Sequence, residues 1–169
     1  MGYFLIQLER CFIYFAVLGI ASHIFGELLP RDRFHFDRHP YAPYEWEQNG
    51  NFYNKKLHIR KWRHLLPDKS QTMKSMYTKK LGNNFSSPHV CRLLQETCVA
   101  EFVHGALILC SPFVMLFSDG KTTVFCMMLF MLGNVPFIMI QRYNRPKLAR
   151  LYRAALEREE KARALGEEE

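Results

Sequence analysis

The chain has 169 residues, of which 49% are hydrophobic, and its Lys and Arg outnumber its Asp and Glu by 23 to 16. This length suits a single domain, and the apolar content excludes a disordered or collagen-like chain. The mean hydropathy of −0.17 is typical of a soluble protein, but the apolar residues are concentrated in three uncharged runs. These runs are Cys11–Phe25, Phe102–Ser118 and Thr122–Gln141. Because about 20 apolar residues cross a bilayer as a helix, this distribution predicts a membrane protein.

The basic residues lie beside these runs, and their placement predicts a topology. Residues 26–101 carry 13 Lys and Arg, and residues 142–169 carry eight. Three membrane spans put both segments on one side, which the positive-inside rule makes the cytoplasmic side. Anionic lipid headgroups account for basic residues that flank apolar spans. We therefore expect the lipid bilayer as a partner and no nucleic acid.

The predicted fold is an all-α integral membrane protein that forms a single membrane domain over residues 1–169. Its three transmembrane helices are expected at residues 11–29, 102–118 and 122–141. The last two spans form a tight C-terminal helical hairpin, because only the turn around Asp119-Gly120-Lys121 separates them. This multi-pass arrangement makes the basic segments cytoplasmic.

Two further segments complete the predicted organisation. Residues 30–101 are expected to form an interfacial cytoplasmic loop, because three Pro and alternating aromatic and charged residues in its first part disfavour a long helix. Residues 142–169 are expected to form a charged cytoplasmic helix. The first apolar run also has the length of a signal peptide, but Glu9 offsets Arg10 and no A-x-A site follows, which favours an uncleaved anchor.

The sequence does not predict a metal site. The five Cys include no C-x-x-C pair, and three of them lie in apolar runs, where they serve as small hydrophobic residues. Glu101-x-x-His104 is half of a di-iron ligand set, which needs a second such motif. A metal-dependent lipid-modifying enzyme that uses Glu96, Glu101 and His104 stays open as an alternative.

Helical spacing places polar residues in one stripe on each helix of the hairpin. The stripes are Thr97, Glu101, His104, Ile108 and Ser111 on the first helix, and Asn134, Ile138, Gln141 and Arg145 on the second. In a hairpin centred on the turn, His104 faces Val135, next to Asn134. Ionisable groups at membrane depth are costly and usually functional, which favours chemistry here. The alternative is that His104 only hydrogen-bonds across the helices as part of their packing.

Three parts of the sequence carry a resemblance to a known family. They are Trp46–Asn54 with Ile59–His64, Glu96–His104, and Asn134–Leu148. In this order and spacing they resemble the glycosyl-4,4'-diaponeurosporenoate acyltransferases of bacterial carotenoid biosynthesis, the CrtO type. The third part, which contains N-x-P-x-x-x-x-Q-R-Y-N-R-P, is long and specific. The resemblance extends over about two thirds of the chain, from Trp46 to Tyr152.

The resemblance implies an acyltransferase of the bacterial cell membrane. Such an enzyme transfers a fatty acyl group to a sugar hydroxyl of a glycosyl carotenoid acid, as in staphyloxanthin-like biosynthesis. Acyl-CoA is the expected co-substrate, and no cofactor is expected. Two alternatives stay open: an acyltransferase that acts on another glycolipid, and a non-catalytic membrane scaffold of a lipid-synthesis complex.

This reaction assigns roles to the polar residues. His104, oriented by Glu101, is the first candidate for the base that activates the sugar hydroxyl, and His64 is the second. The neutral groups expected to bind the acyl oxyanion or the substrate are Asn134, Gln141 and Asn144. The cations expected to bind the phosphates of the acyl donor are Arg60, Lys61, Arg63, Arg142 and Arg145.

Overall fold

A computed structural model describes residues 2–66 and 86–166, which form five α-helices and no strand. The helices are α1 (Gly2–Leu28), α2 (Asn51–Leu57), α3 (Ile59–Trp62), α4 (Ser87–Cys110) and α5 (Gly120–Gly166). Short 3-10 helices cover Arg31–Arg33, Glu45–Gly50, Arg63–Leu65 and Ser111–Leu116. The three long helices are long and apolar enough to cross a membrane, which confirms the prediction of an all-α membrane protein.

The helix ends differ from the apolar runs for identifiable reasons. The α-helical part of α4 ends at Cys110 and continues as a 3-10 helix, where Pro112 lacks the backbone N–H that a regular helix requires. α5 runs without a break from the third apolar run through Pro146 to Gly166. The third span and the charged segment are therefore one helix. α4 begins at Ser87, so residues 87–101 of the expected interfacial segment are helical.

The chain divides into two compact units. The first consists of Met1–Pro30 and Val99–Ile138, and the second consists of Arg31–Cys98 and Met139–Glu169. The first unit contains the most apolar parts of the long helices, and its large side chains are strongly exposed. Leu109 is 77% exposed, Phe12 is 74% exposed and Phe125 is 67% exposed. Such a surface is expected of helices that face lipid.

Within the first unit, α1 packs against the two helices of the hairpin. The Tyr14 hydroxyl donates a 2.7 Å hydrogen bond to the Cys110 carbonyl oxygen. The rings of Phe15 and Phe130 stack with their centroids 4.2 Å apart. Because lipid provides little hydrophobic driving force between helices, close packing and interhelical hydrogen bonds hold such contacts together.

A polar cluster joins the N-terminal end of α1 to the hairpin turn. Gln7 is buried, accepts a hydrogen bond from the Ser118 hydroxyl, and donates one of 3.0 Å to the Asp119 carboxylate. The Tyr3 hydroxyl donates to the same carboxylate, and Thr123 donates to the Asp119 carbonyl oxygen at 2.7 Å. We call these five residues the turn cluster. The sequence does not reveal it, because Gln7 lies outside the first apolar run.

The second unit has a small core of its own. Its fully packed members are Tyr53, Ile59, Ile140 and Tyr143, against which Phe52, Trp62, Leu66 and Met139 pack. The Trp62 indole donates a 2.9 Å hydrogen bond to the Leu57 carbonyl oxygen. The aromatic residues of α2 and α3 therefore help to hold these two helices on α5.

A tight turn between the Glu45–Gly50 segment and α2 lies directly on the backbone of α5. Gly50 has φ +86°, and a Cβ built there would lie 3.0 Å from the Tyr143 carbonyl oxygen and 3.4 Å from its Cα. A residue other than glycine in a left-handed conformation costs about 1–2 kcal/mol. The close approach to backbone atoms adds to this cost, because they cannot rotate away.

We expect Gly50→Ala to lower the free energy of unfolding by about 2 kcal/mol, which corresponds to a decrease in Tm of roughly 5 °C. Gly19→Ala is the control, because an added Cβ there has nothing within 4 Å. Thermal unfolding of the detergent-solubilised protein, followed by circular dichroism, measures both. Equal Tm values for the two variants would contradict the role of the turn.

A glutamate of α5 caps the first turn of α4. The Ser87 hydroxyl donates to one carboxylate oxygen of Glu159 at 2.6 Å, and the Ser87 amide donates to the other at 2.7 Å. These two hydrogen bonds, first the hydroxyl and then the amide, lower the pKa of Glu159 from its ordinary value of 4.5. The carboxylate also suits this position because a helix N-terminus favours negative charge.

The lowered pKa of Glu159 predicts a pH-dependent contribution to stability. Because the pKa is lower in the folded than in the unfolded chain, the contribution is present above pH 4.5 and is lost as the pH falls through the folded pKa. We expect Glu159→Gln to lower Tm by about 1–3 °C at pH 7 and by less at pH 3. The exposed Glu160→Gln serves as the control, and a Tm difference independent of pH would contradict the assignment.

Candidate functional site

A histidine and an asparagine of the two hairpin helices form a hydrogen-bonded pair in the first unit. His104 Nδ1 lies 2.8 Å from Asn134 Oδ1. Asn134 Nδ2 donates a 2.8 Å hydrogen bond to the Phe130 carbonyl oxygen, which determines that the amide oxygen faces the imidazole. Because an amide oxygen only accepts, this hydrogen bond places a proton on Nδ1, so that in the neutral imidazole Nε2 is the basic nitrogen.

The surroundings of this pair further restrict the imidazole. The ring of His104 stacks on Phe137, with centroids 4.5 Å apart and planes 9° from parallel. Asn134 is 8% exposed, whereas His104 is half-buried. A fixed tautomer and a fixed ring plane suit a histidine to act as a general base.

Two of the predicted site residues lie close to His104 in the chain or in space. Glu101 lies one helical turn before His104 and is half-buried, and Asn134 forms the hydrogen bond at Nδ1. Both ends of the Asn134 amide are engaged, which favours a positioning role over oxyanion binding. The hairpin geometry predicts that Asn134 lies near His104, because antiparallel helices joined by a short turn pair residues by depth.

In the second unit, Arg142 belongs to a buried ion pair with Glu47. Its Nη1 lies 3.1 and 3.2 Å from the two oxygens of Glu47, which is 2% exposed. The Tyr53 hydroxyl and the Tyr44 amide also donate to this carboxylate. Nη2 of Arg142 donates to the Pro40 carbonyl oxygen at 2.6 Å. The guanidinium therefore holds the segment with Pro40 and Glu47 on α5. These contacts favour a structural role of Arg142 over phosphate binding.

Arg145 is similarly engaged. It is 2% exposed, and its Nε and Nη2 donate 3.0 Å hydrogen bonds to the hydroxyl and the carbonyl oxygen of Thr97. Its Nη1 donates to the Tyr41 carbonyl oxygen at 2.7 Å. Thr97 therefore anchors this guanidinium. The polar stripe on α4 contains Thr97 but does not by itself indicate this role. The contacts of Arg145 also favour a structural role.

The other predicted residues of the second unit divide by exposure. Gln141 and Asn144 are both 4% exposed, and Arg63 donates a 3.0 Å hydrogen bond to Asn144 Oδ1. The remaining three, which are solvent-exposed, are Arg60, Lys61 and His64. Of the predicted donor-binding cations, Arg60 and Lys61 are therefore exposed, and Arg63 is half-buried.

The second unit also contains a cleft of about 470 Å³. Residues of the segment between α1 and α2 and residues of α5 line it, among them Phe36, Pro43, Pro146, Arg150, Tyr152 and Arg153. Its size is within the range of pockets that take small molecules. The sequence does not indicate this cleft, because it depends on how the segment between α1 and α2 folds against α5.

Among residues 2–66 and 86–166, no group of three His, Cys, Asp or Glu side chains is arranged to hold a metal ion. Glu96, which the metal-dependent alternative requires, lies 3.0 Å from Arg31 and 3.2 Å from Arg92. This carboxylate thus already forms ion pairs with two guanidinium groups.

Three helices long and apolar enough to cross a membrane, with a histidine hydrogen-bonded between two of them, define a helical membrane protein with a candidate acid–base site. A family model described as CrtO, glycosyl-4,4'-diaponeurosporenoate acyltransferase, matches residues 37–154. The chain belongs to this family, which confirms the resemblance seen in the sequence and the prediction of an acyltransferase.

Curated relatives carry the same name. The protein of Staphylococcus aureus strain bovine RF122 / ET3-1, named glycosyl-4,4'-diaponeurosporenoate acyltransferase, is 31% identical over 153 residues, which is 89% of this chain and 91% of the relative. The protein of strain N315 has the same name and is 30% identical with the same coverage. No solved structure matches the chain.

Proposed function

We propose that the chain is a membrane acyltransferase that esterifies a sugar hydroxyl of a glycosyl carotenoid acid with a fatty acyl group from acyl-CoA. The names of the relatives support the acceptor. The observation that carries the proposal is the 2.8 Å hydrogen bond between His104 Nδ1 and Asn134 Oδ1, because it selects the tautomer in which Nε2 of the neutral imidazole can accept a proton. The proposal requires no cofactor.

In this proposal His104 is the catalytic base and Asn134 positions it. Nε2 takes the proton of the sugar hydroxyl as the sugar oxygen attacks the thioester carbonyl carbon. The carbon–sulfur bond of the tetrahedral intermediate then breaks, and the imidazolium returns the proton to the leaving thiolate. The sugar ester and free coenzyme A are the products. Glu101, which lies on the same face of α4, is proposed to help orient His104.

The second unit supplies the proposed binding functions. Arg60, Lys61 and Arg63 are proposed to bind donor phosphates, because Arg and Lys at a membrane surface attract such anions. Gln141 and Asn144, the other neutral polar residues of the predicted site, are proposed to bind substrate. The exposed His64 is the alternative base. We propose that these basic segments face the cytoplasm, where acyl-CoA is made, in a bacterial cell membrane.

Product analysis by mass spectrometry tests this function. The purified protein in nanodiscs receives a glycosyl-4,4'-diaponeurosporenoate, a plain glucosyl lipid and a long-chain acyl-CoA. A new ester on the carotenoid alone supports the proposal. An ester on the plain lipid alone favours the alternative glycolipid acyltransferase. No ester from folded protein contradicts acyl-CoA-dependent transfer to these acceptors, and an acylated carrier protein in a parallel reaction then tests the donor separately.

A further inference from the structure

Two cations share one aromatic ring on α5. The Lys147 Nζ lies 3.0 Å from the centroid of the Tyr143 ring, and the Arg63 Cζ lies 5.5 Å from the same centroid. Each cation is attracted by the ring, but the two repel each other. All these residues belong to the second unit, and Lys147 lies beyond Gln141, where the apolar part of α5 ends.

Further positive charge surrounds Lys147. Burial, followed by the charges of Arg63, Arg60 and Arg150, lowers the pKa of Lys147 to about 7. We call these four residues the cationic cluster. Within residues 2–66 and 86–166, no carboxylate forms a salt bridge with any of them. Such a concentration of like charge is unfavourable unless an anion binds to it.

A buried amide beside the cluster lacks an acceptor. Asn144 is 4% exposed, and its Oδ1 accepts the hydrogen bond from Arg63. Its Nδ2 is buried and has no hydrogen-bond partner among the described residues. Because buried polar groups are nearly always paired, this amide indicates that a ligand with acceptor oxygens belongs nearby.

We infer that Arg63, Lys147 and the Asn144 amide form a binding site for a phosphate or diphosphate group, with Arg60 and Arg150 as additional cations. Arg63 binds phosphate oxygens through its planar guanidinium, and Lys147 adds a compact charge. The inference rests on the proposed function in one respect, since the expected source of the phosphate is the nucleotide part of acyl-CoA. It adds Lys147 and Arg150 to the proposed donor-binding residues.

This site makes binding depend on pH. A bound phosphate favours the protonated form of Lys147, so above pH 7 the free protein must take up a proton when the ligand binds. The groups that act on this ammonium are Arg60 and Arg63 from the α3 region, together with Tyr143 and Arg150 of α5. The affinity for coenzyme A is therefore expected to fall about tenfold between pH 7.0 and 8.5.

Isothermal titration calorimetry on the full chain in phosphatidylcholine nanodiscs tests the site. Coenzyme A is titrated at pH 7.0 and 8.5, and inorganic diphosphate is titrated at pH 7.0. We expect Lys147→Met to weaken the binding of both ligands at least tenfold at pH 7.0 and to abolish the pH dependence. Lys161→Met, which removes a Lys exposed on the same helix, is expected to bind as the unmodified protein does.

The outcomes separate the site from the donor. Equal diphosphate affinity in Lys147→Met and the unmodified protein overturns the inference. Binding of diphosphate through Lys147 without binding of coenzyme A supports the site and contradicts acyl-CoA as the donor. If phosphatidylglycerol in the nanodisc weakens diphosphate binding only when Lys147 is present, a lipid headgroup is the source of the anion. Should Lys147→Met fail to fold, the exposed Arg150→Met replaces it, with an expected three- to fivefold weakening.

Discussion

Replacing His104 with Gln is expected to lower kcat for acyl transfer by about 10²–10⁴, because the reaction loses the base that accepts the sugar hydroxyl proton. Glutamine retains hydrogen-bonding capacity and similar size, so the Tm of the protein should change little. The assay measures ester formation by mass spectrometry over time. His23→Gln, which changes an exposed histidine of α1, is the matched control and should keep full activity.

The same experiment tests how Asn134 acts. Asn134→Leu removes the oxygen that accepts from Nδ1 and is expected to lower kcat about 10- to 100-fold with little change in KM. Asn134→Asp restores an acceptor oxygen and should recover much of the rate. Full activity in His104→Gln would remove His104 from the mechanism and transfer the role of base to His64. A purely structural role for Asn134 would instead lower Tm and yield without the split between kcat and KM.

Breaking the buried ion pair of the second unit is expected to have the largest effect on stability. Glu47→Gln leaves the Arg142 charge buried without its counter-charge, which costs about 3–5 kcal/mol. For a chain of this size we expect Tm to decrease by roughly 10 °C. Glu45→Gln, two residues earlier and exposed, is the matched control and should unfold at nearly the original temperature.

A double variant distinguishes the ion pair from simple packing. In Glu47→Leu with Arg142→Met both charges are absent, so we expect it to be more stable than either single variant. Thermal unfolding in one detergent at one protein concentration compares all four proteins. Additive losses in the double variant would show that the two side chains act independently, which would refute coupling through charge.

Much of the fold follows from the sequence because membrane spans depend on local properties. Apolar runs of sufficient length form helices in lipid whatever their tertiary contacts, since the backbone must satisfy its own hydrogen bonds there. Polarity alone does not show that α5 continues through Pro146, because a change from apolar to charged residues neither ends nor extends a helix. Proline is typical of a helix break, but α5 has no break at this position.

The candidate site could be predicted only in the hairpin, where residues equally far from the turn along the chain lie opposite each other. A short hairpin places His104 near Asn134 by simple counting, and the hydrogen bond follows from that. Glu47 and Arg142 are 95 residues apart, and nothing local indicates that a carboxylate from a loop will neutralise this guanidinium. Lys147 is similarly hidden, because its environment combines α5 with the α3 region. Basic residues that the sequence alone does not distinguish therefore divide into two groups. Arg142 and Arg145 make structural contacts, whereas Arg60 and Lys61 are exposed candidates for ligand binding.

The turn cluster has a consequence for the order in which the protein is assembled. Gln7 and Tyr3 are separated from Asp119 by 112 and 116 residues, so α1 leaves the ribosome long before its polar partners exist. Until the hairpin inserts, the Gln7 amide must find water or lipid headgroups at the membrane surface. Contacts of such long sequence separation form late. We therefore expect α1 to reach its final position only after the hairpin turn at Asp119 has been synthesised.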